Sequence, residues 1–478
     1  MCCIIEKKNY FCRIFDENMI ENNSDTICAL SSPAGVGAIS IVRLSGNDSV
    51  EIASSIISSP VKLVGSSPRV LHFAKLINES GDILDEVLIT KFLAPNSFTG
   101  EDMVEIFCHG SEYIQTEILS LLVRKGASIA LPGEFTKRAF LNNKMDLAQS
   151  EAVADLISSG SKESHRIAIN QMKGQVSNEI IELRERMIGL ISLLELELDF
   201  GEEDVEFADR SELQKLTTEI LDKVSGLIET FKYGNAIKSG VPVAIAGKPN
   251  AGKSTLLNSI LKDDRAIVSS IPGTTRDTVE ESIVLDGIKF KLIDTAGIRK
   301  SEDEIEKIGV ERTLNKIGQS QIIVLIIDST ADDEENLNFV KDTSIQLSED
   351  QFLVIALNKT DIVADFNITH YEEFGSVIKI SAKTALNIDV LCSLLTDYVK
   401  SLKQSDASTI ISNVRHIELF NKAHEALTRA KEAIASGISG DFVSQDLREA
   451  MYYLGEITGT ISNEEVLGAI FSKFCIGK

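Results

Sequence analysis

The stretch VAIAGKPNAGKST, residues 243–255, decides the fold of the central part of this chain. Its apolar first half ends at Gly247, and the pattern G-x-x-x-x-G-K-S then closes at Gly252, Lys253 and Ser254 before the helix-like segment LLNSILK. This order of strand, glycine-rich loop and helix is typical of a phosphate-binding loop. Its backbone N–H groups surround a phosphate, the lysine reaches the β- and γ-phosphates, and the serine hydroxyl binds Mg²⁺.

Three further motifs follow in the order that a GTPase requires. The GTTRD segment offers Thr275 as a second Mg²⁺ ligand, and DTAG places the Asp294 carboxylate near the metal. In NKTD, Asp361 can accept hydrogen bonds from guanine N1 and N2, which adenine does not offer. The sequence therefore predicts GTP as the nucleotide. The predicted GTP-binding residues are Asn250, Ala251, Gly252, Lys253, Ser254, Thr255, Ser269, Ser270, Ile271, Pro272, Gly273, Thr274, Thr275, Asp294, Thr295, Ala296, Gly297, Asn358, Lys359, Asp361, Ser381, Ala382 and Lys383.

The residue after DTAG bears on how GTP is hydrolysed. Ras-like GTPases carry a glutamine there that orients the attacking water, whereas this chain has Ile298. Another group or a bound cation must supply that help, and an arginine finger or an equivalent cation accelerates hydrolysis by about 10³ to 10⁵. Oxygen atoms of four residues are predicted to form a cage for a monovalent cation: Asn250, Ser269, Ile271 and Thr274. The acidic run at residues 301–306 either positions water or only solvates a mobile switch segment.

Composition narrows the class of protein. The chain has 478 residues, 43% of them hydrophobic, and a net charge of −24. This acidity argues against broad nonspecific binding of nucleic acid, and the longest apolar runs are too short to cross a membrane. The seven cysteines show no repeated spacing, which predicts a reducing, cytoplasmic location rather than a disulfide framework. Residues 1–23 are interpreted either as an N-terminal extension or as a misassigned start, with Met19 as the alternative first residue.

Periodicity changes along the chain. Residues 26–130 contain short strand-like runs interrupted by one amphipathic helix, Glu112–Arg124, which predicts a compact α+β domain. An apolar stripe at helical spacing follows, from Val176 to Leu194, and further striped helices come after residue 400. Each stripe needs a partner. We therefore predict that the two helical sets pack on each other and that the GTPase is inserted between them.

Several longer segments resemble the MnmE (TrmE) family of tRNA modification GTPases. They are GKPNAGKS, IPGTTRD, DTAGIR, NKTD and SAK, with the terminal FCIGK. The segments SSPAGVGAISIVRLSG, NSFTGEDMVEIFCHG and LPGEFTKRAFLNNKMDLAQSEAVADLI extend the resemblance over residues 26–478. The switch motifs are shared with ribosome-assembly GTPases and are only moderately specific. The PGEFTKRAFLNNKMDL segment and the CIGK terminus are highly specific.

The resemblance implies a multidomain α/β architecture. It implies an α+β domain at 24–140 that binds tetrahydrofolate and dimerises, and the extension at 1–23 that precedes this domain is unusual for the family. A central helical domain is formed by 141–238 and 401–478, and a Ras-like P-loop GTPase domain at 239–400 is inserted into it.

The resemblance also implies an activity and its partners. By this resemblance, the protein is expected to be a potassium-stimulated, Mg²⁺-dependent GTPase that forms a homodimer and works with the FAD protein MnmG. The complex adds an aminomethyl or carboxymethylaminomethyl group to C5 of the wobble uridine, position 34, of certain tRNAs. The one-carbon donor is 5,10-methylenetetrahydrofolate or 5-formyltetrahydrofolate. A ribosome-assembly GTPase and a purely regulatory GTPase remain the alternatives.

Site residues carried over from the family complete the expectations. Asn250, Ser269, Ile271 and Thr274 match potassium positions, and Ser254 and Thr275 match Mg²⁺ ligands. The folate-contacting positions are matched by Arg43, Glu105, Lys144 and Lys478, and the catalytic candidates are Glu306 and Cys475.

Overall fold

The computed structural model describes residues 25–58, 63–200, 210–262, 267–268, 281–293, 318–348, 350–363, 367–403, 408–462 and 464–477. Contacts divide the chain into two compact units. The first contains the residues up to Ser150 together with those from Ser462 onward, and the second spans Glu151–Ile461. Among the described residues, no helix is long and apolar enough to span a bilayer.

The first unit is built on a mixed sheet, which confirms the predicted α+β class. Its described strands are β1 (Ile27–Leu30), β2 (Gly37–Ser45), β3 (Ile57–Ser58), β4 (His72–Ile77), β5 (Ile83–Phe92), β6 (Met103–Gly110) and β7 (Ser128–Ile129). Their order in the sheet is β3-β4-β5-β6-β2-β1-β7. The strands alternate between buried and more exposed side chains, so that one face forms the core and the other faces outward.

Four helices of the described residues accompany this sheet, and the first two of them cover its core face. They are α1 (Ser49–Ser54), α2 (Glu112–Arg124), α3 (Glu134–Leu141) and α4 (Leu147–Ser158), the last of which begins in the first unit and ends in the second. The predicted helix Glu112–Arg124 is confirmed, and Ile118 and Leu122 bury its apolar face completely. These residues pack with strand residues such as Val42 and Ile106 in one hydrophobic cluster.

The C-terminal segment belongs to the first unit, although the sequence assigned residues 401–478 together to the helical domain. Helix α14 (Glu464–Phe471) buries Leu467 and Phe471 against Leu147. The reason for the assignment is visible only in three dimensions, because these apolar side chains find their partners more than 300 residues earlier in the chain.

Helices form the first layer of the second unit. They are α5 (Lys162–Met172), α6 (Gln175–Phe200), α7 (Arg210–Glu229), α8 (Phe231–Ser239), α12 (Val414–Ala435) and α13 (Gly440–Thr458). Helix α6 packs on α13 and α7 packs on α12, which confirms that the helices on either side of the insertion pack together. The predicted stripe of α6 is buried throughout, with Leu183 and Met187 fully inaccessible.

A second sheet forms the G domain of this unit. Its described strands are β8 (Val241–Gly247), β9 (Ile267–Val268), β10 (Glu281–Leu285), β11 (Ile288–Leu292), β12 (Ile322–Asp328), β13 (Phe352–Asn358) and β14 (Ser376–Lys379), in the order β14-β13-β12-β8-β11-β10-β9. The helices with it are α9 (Lys253–Leu261), α10 (Asp333–Ser344) and α11 (Ile388–Ser401). Strands β8, β11, β12, β13 and β14 are parallel, so their carboxyl ends meet at one edge, where ligands of such sheets bind.

Candidate functional site

The phosphate loop connects β8 to α9 at that edge. Gly247 has φ +156° and Gly252 has φ +104°, a region that favours glycine. Space requires glycine as well. A Cβ on Gly247 would lie 2.5 Å from the Ile326 carbonyl oxygen, and one on Gly252 would lie 2.2 Å from Asn358 Nδ2. The glycines of the sequence pattern are therefore needed for the close approach of the loop to two neighbouring strands.

Lys253 begins α9 with its side chain turned back over the loop. Its ammonium group donates hydrogen bonds to the carbonyl oxygens of Gly247, at 2.9 Å, and Lys248, at 2.8 Å. Burial lowers the pKa of Lys253 because these carbonyl dipoles replace bulk water only in part. Ser254 and Thr255 follow on the exposed side of the first helical turn. The loop thus places a cation and two hydroxyl groups where a helix N-terminus favours phosphate.

Asn358 joins the phosphate loop to the predicted base-binding loop. It is 3% exposed at the end of β13. Its Nδ2 donates to the Ala251 carbonyl oxygen at 2.8 Å, while its Oδ1 accepts from the Ala382 backbone N–H at 2.9 Å. The side chain therefore fixes the distance between the two parts of the site.

The rest of NKTD lies beside this brace. Lys359 has φ +66°, and its ammonium group pairs with Asp328 Oδ2 at 2.5 Å. Asp361 is exposed, while Thr360 Oγ1 donates to the Ile380 carbonyl oxygen at 2.8 Å. Asp361 is consequently presented on an anchored loop, with its carboxylate accessible to a base.

Asp328 is a further candidate for the site, and none of the sequence motifs includes it. Burial disfavours its charged form, but hydrogen bonds from Lys359 and Thr330 outweigh burial, and the pKa of Asp328 is lowered. Its position at the end of the apolar strand β12 was the available signal. An acid directly after a buried parallel strand lies at the same edge as the phosphate loop.

A cleft of 640 Å³ opens beside these elements. Thr255, Ala382 and Lys383 line it, together with residues of α9 and α11. It therefore brings together one end of the phosphate-loop helix and the predicted base-binding loop.

Many predicted ligands of the nucleotide and metals lie outside the described residues. These are Ser269, Ser270, Ile271, Pro272, Gly273, Thr274, Thr275, Asp294, Thr295, Ala296, Gly297 and Glu306, together with Ile298 and the folate candidate Lys478. Residues 1–23, predicted to be an extension, also lie outside.

The folate candidates lie in the first unit. Arg43 on β2 and Glu105 on β6 are directly opposite each other in the sheet. The Arg43 Nε and one terminal nitrogen donate to Glu105 Oε1 at 2.9 and 2.8 Å. The guanidinium carbon lies 5.5 Å from the ring centroid of Phe98 and 5.7 Å from that of Phe135. The pair thus combines two opposite charges with two aromatic rings, which the sequence analysis had not singled out.

Lys144 and the terminal tail belong to the same unit. Lys144 is exposed, and its Nζ donates to the Pro95 carbonyl oxygen at 2.8 Å. Cys475 has an exposed free thiol, and its backbone carbonyl oxygen accepts a hydrogen bond from the Gly133 N–H at 3.3 Å. Ser31 Oγ holds the Gly477 carbonyl oxygen at 3.1 Å. The tail therefore runs over the loop before α3, the helix that carries Phe135.

Comparison with known proteins gives the family. The family model described as MnmE helical domain matches residues 147–475, and the model described as GTP-binding protein TrmE N-terminus matches residues 26–144. A tRNA modification GTPase MnmE of Cytophaga hutchinsonii is 48% identical over 462 residues, which cover 96% of this chain and 99% of the relative. Relatives of the same name from Flavobacterium johnsoniae and Bacteroides thetaiotaomicron are each 45% identical, with 95% of this chain and 100% of the relative covered.

A solved G domain of the T. maritima FeoB iron transporter covers 33% of this chain and 98% of its own, at 22% identity and a TM-score of 0.25. That TM-score is too low to carry an argument, whereas the family models and the full-length relatives agree with each other and with the two halves of the site. The chain belongs to the MnmE family of tRNA modification GTPases.

Proposed function

We propose that this protein binds and hydrolyses GTP at the edge of the G-domain sheet. The observation that carries the proposal is the double hydrogen bonding of Asn358, which ties the loop of Lys253 to the loop of Ala382. Phosphate recognition and base recognition are thereby held at one fixed spacing. Lys253 supports the phosphates, while Asp361 reads the guanine N1 and N2 hydrogens.

The proposed metal sites adjoin the phosphate loop. Ser254, exposed at the start of α9, would hold Mg²⁺ together with Thr275. Asn250 has φ +61°, and it would contribute to a potassium site with three oxygen donors: Ser269, Ile271 and Thr274. Magnesium and potassium, when bound, supply positive charge to the phosphate oxygens. Glu306 is proposed to position the attacking water, because Ile298 offers no polar group for that role.

An Asp361→Asn variant tests the assignment of GTP. The carboxylate accepts two N–H groups of guanine, whereas an amide can donate to the 2-carbonyl oxygen of xanthine. Loss of two charge-assisted hydrogen bonds predicts at least about 100-fold weaker GTP binding, with a gain for xanthosine triphosphate. A variant that still prefers GTP would contradict the assignment. Asp389→Asn, which changes a different carboxylate lining the neighbouring cleft, is the matched control.

The same protein is proposed to take part in tRNA wobble uridine modification with a tetrahydrofolate one-carbon carrier. The Arg43 guanidinium group pairs with Glu105 and lies over two aromatic rings, an arrangement suited to a flat, polar heterocycle. Glu105 would face the pterin nitrogens, while Lys144 and Lys478 would face the anionic tail of the carrier. The folate, when bound, supplies the carbon that becomes attached to uridine C5.

Titration of the full-length protein with 5-formyltetrahydrofolate tests this part. Binding that is weakened at least about tenfold by Arg43→Ala supports it, because the variant removes one charged hydrogen-bonding group. Arg124→Ala, an exposed arginine of the same unit, is the control. Absence of binding would favour the alternatives, a ribosome-assembly GTPase or a regulatory GTPase without a part in modification.

The remaining assignments concern partners, location and the tail. An outward-facing apolar patch on the first sheet supports a homodimer. It contains Phe73 and Leu88, which are opposite each other on β4 and β5, and Ile39, all more than 40% exposed. MnmG, an FAD protein, is the proposed second partner, tRNA the proposed substrate and the cytoplasm the proposed location. Cys475 is proposed to act in modification. A Cys475→Ser protein that keeps its GTPase rate and modifies tRNA fully would end that role.

A further inference from the structure

The chain enters the G-domain sheet through helix α8 and returns through the segment 408–413, called the return segment below. Helix α8 is part of the G-domain core. Tyr233, Ala236 and Ile237 are buried in one hydrophobic cluster with Val241 of β8 and Phe290 of β11. Helix α8 is therefore packed tightly on the sheet, in a cluster that also includes Ile167 of α5.

The return segment is fastened to α8. The backbone N–H of Ile411 donates to Thr230 Oγ1 at 3.0 Å, just before α8 begins. A Cβ on Gly234 would lie 2.1 Å from the Ile411 carbonyl oxygen, so only glycine allows this crossing. Ile410 also packs against the G-domain cluster. The incoming and outgoing connections therefore lie side by side at the base of the sheet.

Helix α4 holds both connections from the other side. Its two carboxylates, Glu151 and Asp155, are four residues apart and thus lie on one face of the helix. Asp155 Oδ2 lies 2.7 Å from Lys238 Nζ, near the end of the incoming helix. Glu151 accepts two hydrogen bonds from Arg415 at 2.9 Å and lies 2.6 Å from His416 Nε2, directly after the return segment.

The two ties differ in strength. The side chain of Glu151 is 8% exposed, and Arg415 is bound further by the carbonyl oxygens of Glu456 and Ile457 at the end of α13. Asp155 meets a single flexible ammonium group. A small cavity of about 20 Å³ lies beside Asp155 and Lys238, and serines form half of its lining residues. It is large enough for about one water molecule. Asp155–Lys238 is the tie that water can replace.

We propose that Glu151 and Asp155 are positioning residues that set how the G domain is oriented on the surrounding helices. Glu151 is the fixed anchor, held by Arg415 and His416. The Asp155–Lys238 pair is the tie that opens and closes when the G domain changes orientation with its nucleotide. The proposal rests on the GTP cycle of the proposed function, and it names the place at which that cycle acts on the helices.

Distances measured by pulsed electron paramagnetic resonance test this. Spin labels on Ile345→Cys, in the G domain, and Ile181→Cys, on α6, replace side chains that are 81% and 52% exposed. In the full-length protein used for labelling, Cys475 and the N-terminal cysteines Cys2, Cys3 and Cys12 are replaced by serine, so that the label attaches only at the two introduced cysteines. The labelled protein is diluted with unlabelled chains, so that distances within one chain are measured. Distances are recorded with GDP and with GDP–aluminium fluoride in KCl.

Asp155→Asn is the test variant, and Asp155→Glu is the conservative rescue. Asp350→Asn is the matched control, because it breaks an exposed ion pair between α8 and the G domain itself, with Lys232. We expect the parent to change its distance with the nucleotide. We expect Asp155→Asn to lose that difference and Asp155→Glu and Asp350→Asn to keep it, with KM for GTP unchanged within about twofold in all.

Two results would overturn the proposal. One is an Asp155→Asn protein whose distances match those of the parent in both states. The other is a parent whose distance does not change with the nucleotide. GTP turnover and guanine selectivity of the same parent sample report separately on the proposed function, so the failure of one is distinguishable from the failure of the other.

Discussion

Replacing Asn358 by alanine should weaken the nucleotide site without unfolding the protein. The substitution removes the Nδ2 hydrogen bond to Ala251 and the Oδ1 hydrogen bond from Ala382, and Asn358 is 3% exposed. Each buried backbone group that loses its partner costs about 1–3 kcal/mol, so both together cost about 2–6 kcal/mol. Because Ala382 borders the open cleft, water can hydrogen-bond its backbone N–H in the variant. We therefore expect a total cost of about 2–4 kcal/mol.

The assay separates binding from folding. A fluorescent GDP titration of Asn358→Ala should show affinity lowered about 30- to 1000-fold, if the whole cost falls on the bound state. Urea unfolding of the same protein measures the share that falls on folding. Asn358→Asp keeps the acceptor for Ala382 but turns a carboxylate oxygen toward the Ala251 carbonyl oxygen, so it should bind GDP at least as weakly as Asn358→Ala.

Asn367→Ala is the control, because that amide lies in an exposed turn with Thr369. An Asn358→Ala protein that binds GDP as tightly as the parent and unfolds at the same urea concentration would show that the two hydrogen bonds do not support the site.

Three other changes test the packing. The first change is Glu151→Gln. In the parent protein, burial disfavours the charged carboxylate of Glu151, but the neighbouring imidazole and guanidinium groups outweigh burial and hold the pKa of Glu151 below its usual range. Its stabilisation is therefore complete above the unfolded pKa of about 4.3 and is lost as pH falls. Urea unfolding should give the variant about 3 kcal/mol less stability at pH 7 and a flatter acid limb, and parallel pH curves would contradict this. Gly477 has φ +90°, and a Cβ there would lie 2.1 Å from a β1 carbonyl oxygen, so Gly477→Ala should weaken folate binding with little loss of stability. Gly468→Ala is the control, because a Cβ there meets open space, and it should leave folate binding unchanged. Equal effects of the two substitutions on folate binding would argue against a docked tail. Met187→Ala should lose about 2–5 kcal/mol in urea unfolding, whereas the half-exposed Ile188→Ala should lose much less, and similar losses would refute the core assignment of α6.

The local features of the fold could be predicted from the sequence. The stripe on α6 was predictable because buried positions recur at helical spacing, and helix α2 was predicted at its observed bounds. The phosphate loop was predictable because glycines and a lysine at fixed spacing serve one chemistry. Packing of α6 and α7 on α13 and α12 followed from the need of each stripe for a partner.

What escaped prediction depends on contacts between distant parts of the chain. Glu151 meets Arg415 and His416 more than 260 residues later, and no local pattern marks such a pair. The contacts of the terminal segment with Leu147 likewise join distant parts of the chain. Asp328 was partly predictable. Its position at the end of a buried strand is visible in the sequence, but its ion pair with Lys359 is not, because that pair depends on the alignment of the ends of β12 and β13.

The proposed hydrolysis mechanism is tested by GTP turnover of the full-length protein in KCl and in NaCl, at equal ionic strength and over a range of protein concentrations. Because the proposed function places a cation beside Asn250 and gives a second copy of the chain a part in the reaction, we expect a large acceleration that is specific to K⁺ and grows with protein concentration. Equal and slow rates in the two salts at every concentration would contradict it, and would direct attention to an arginine supplied by another protein.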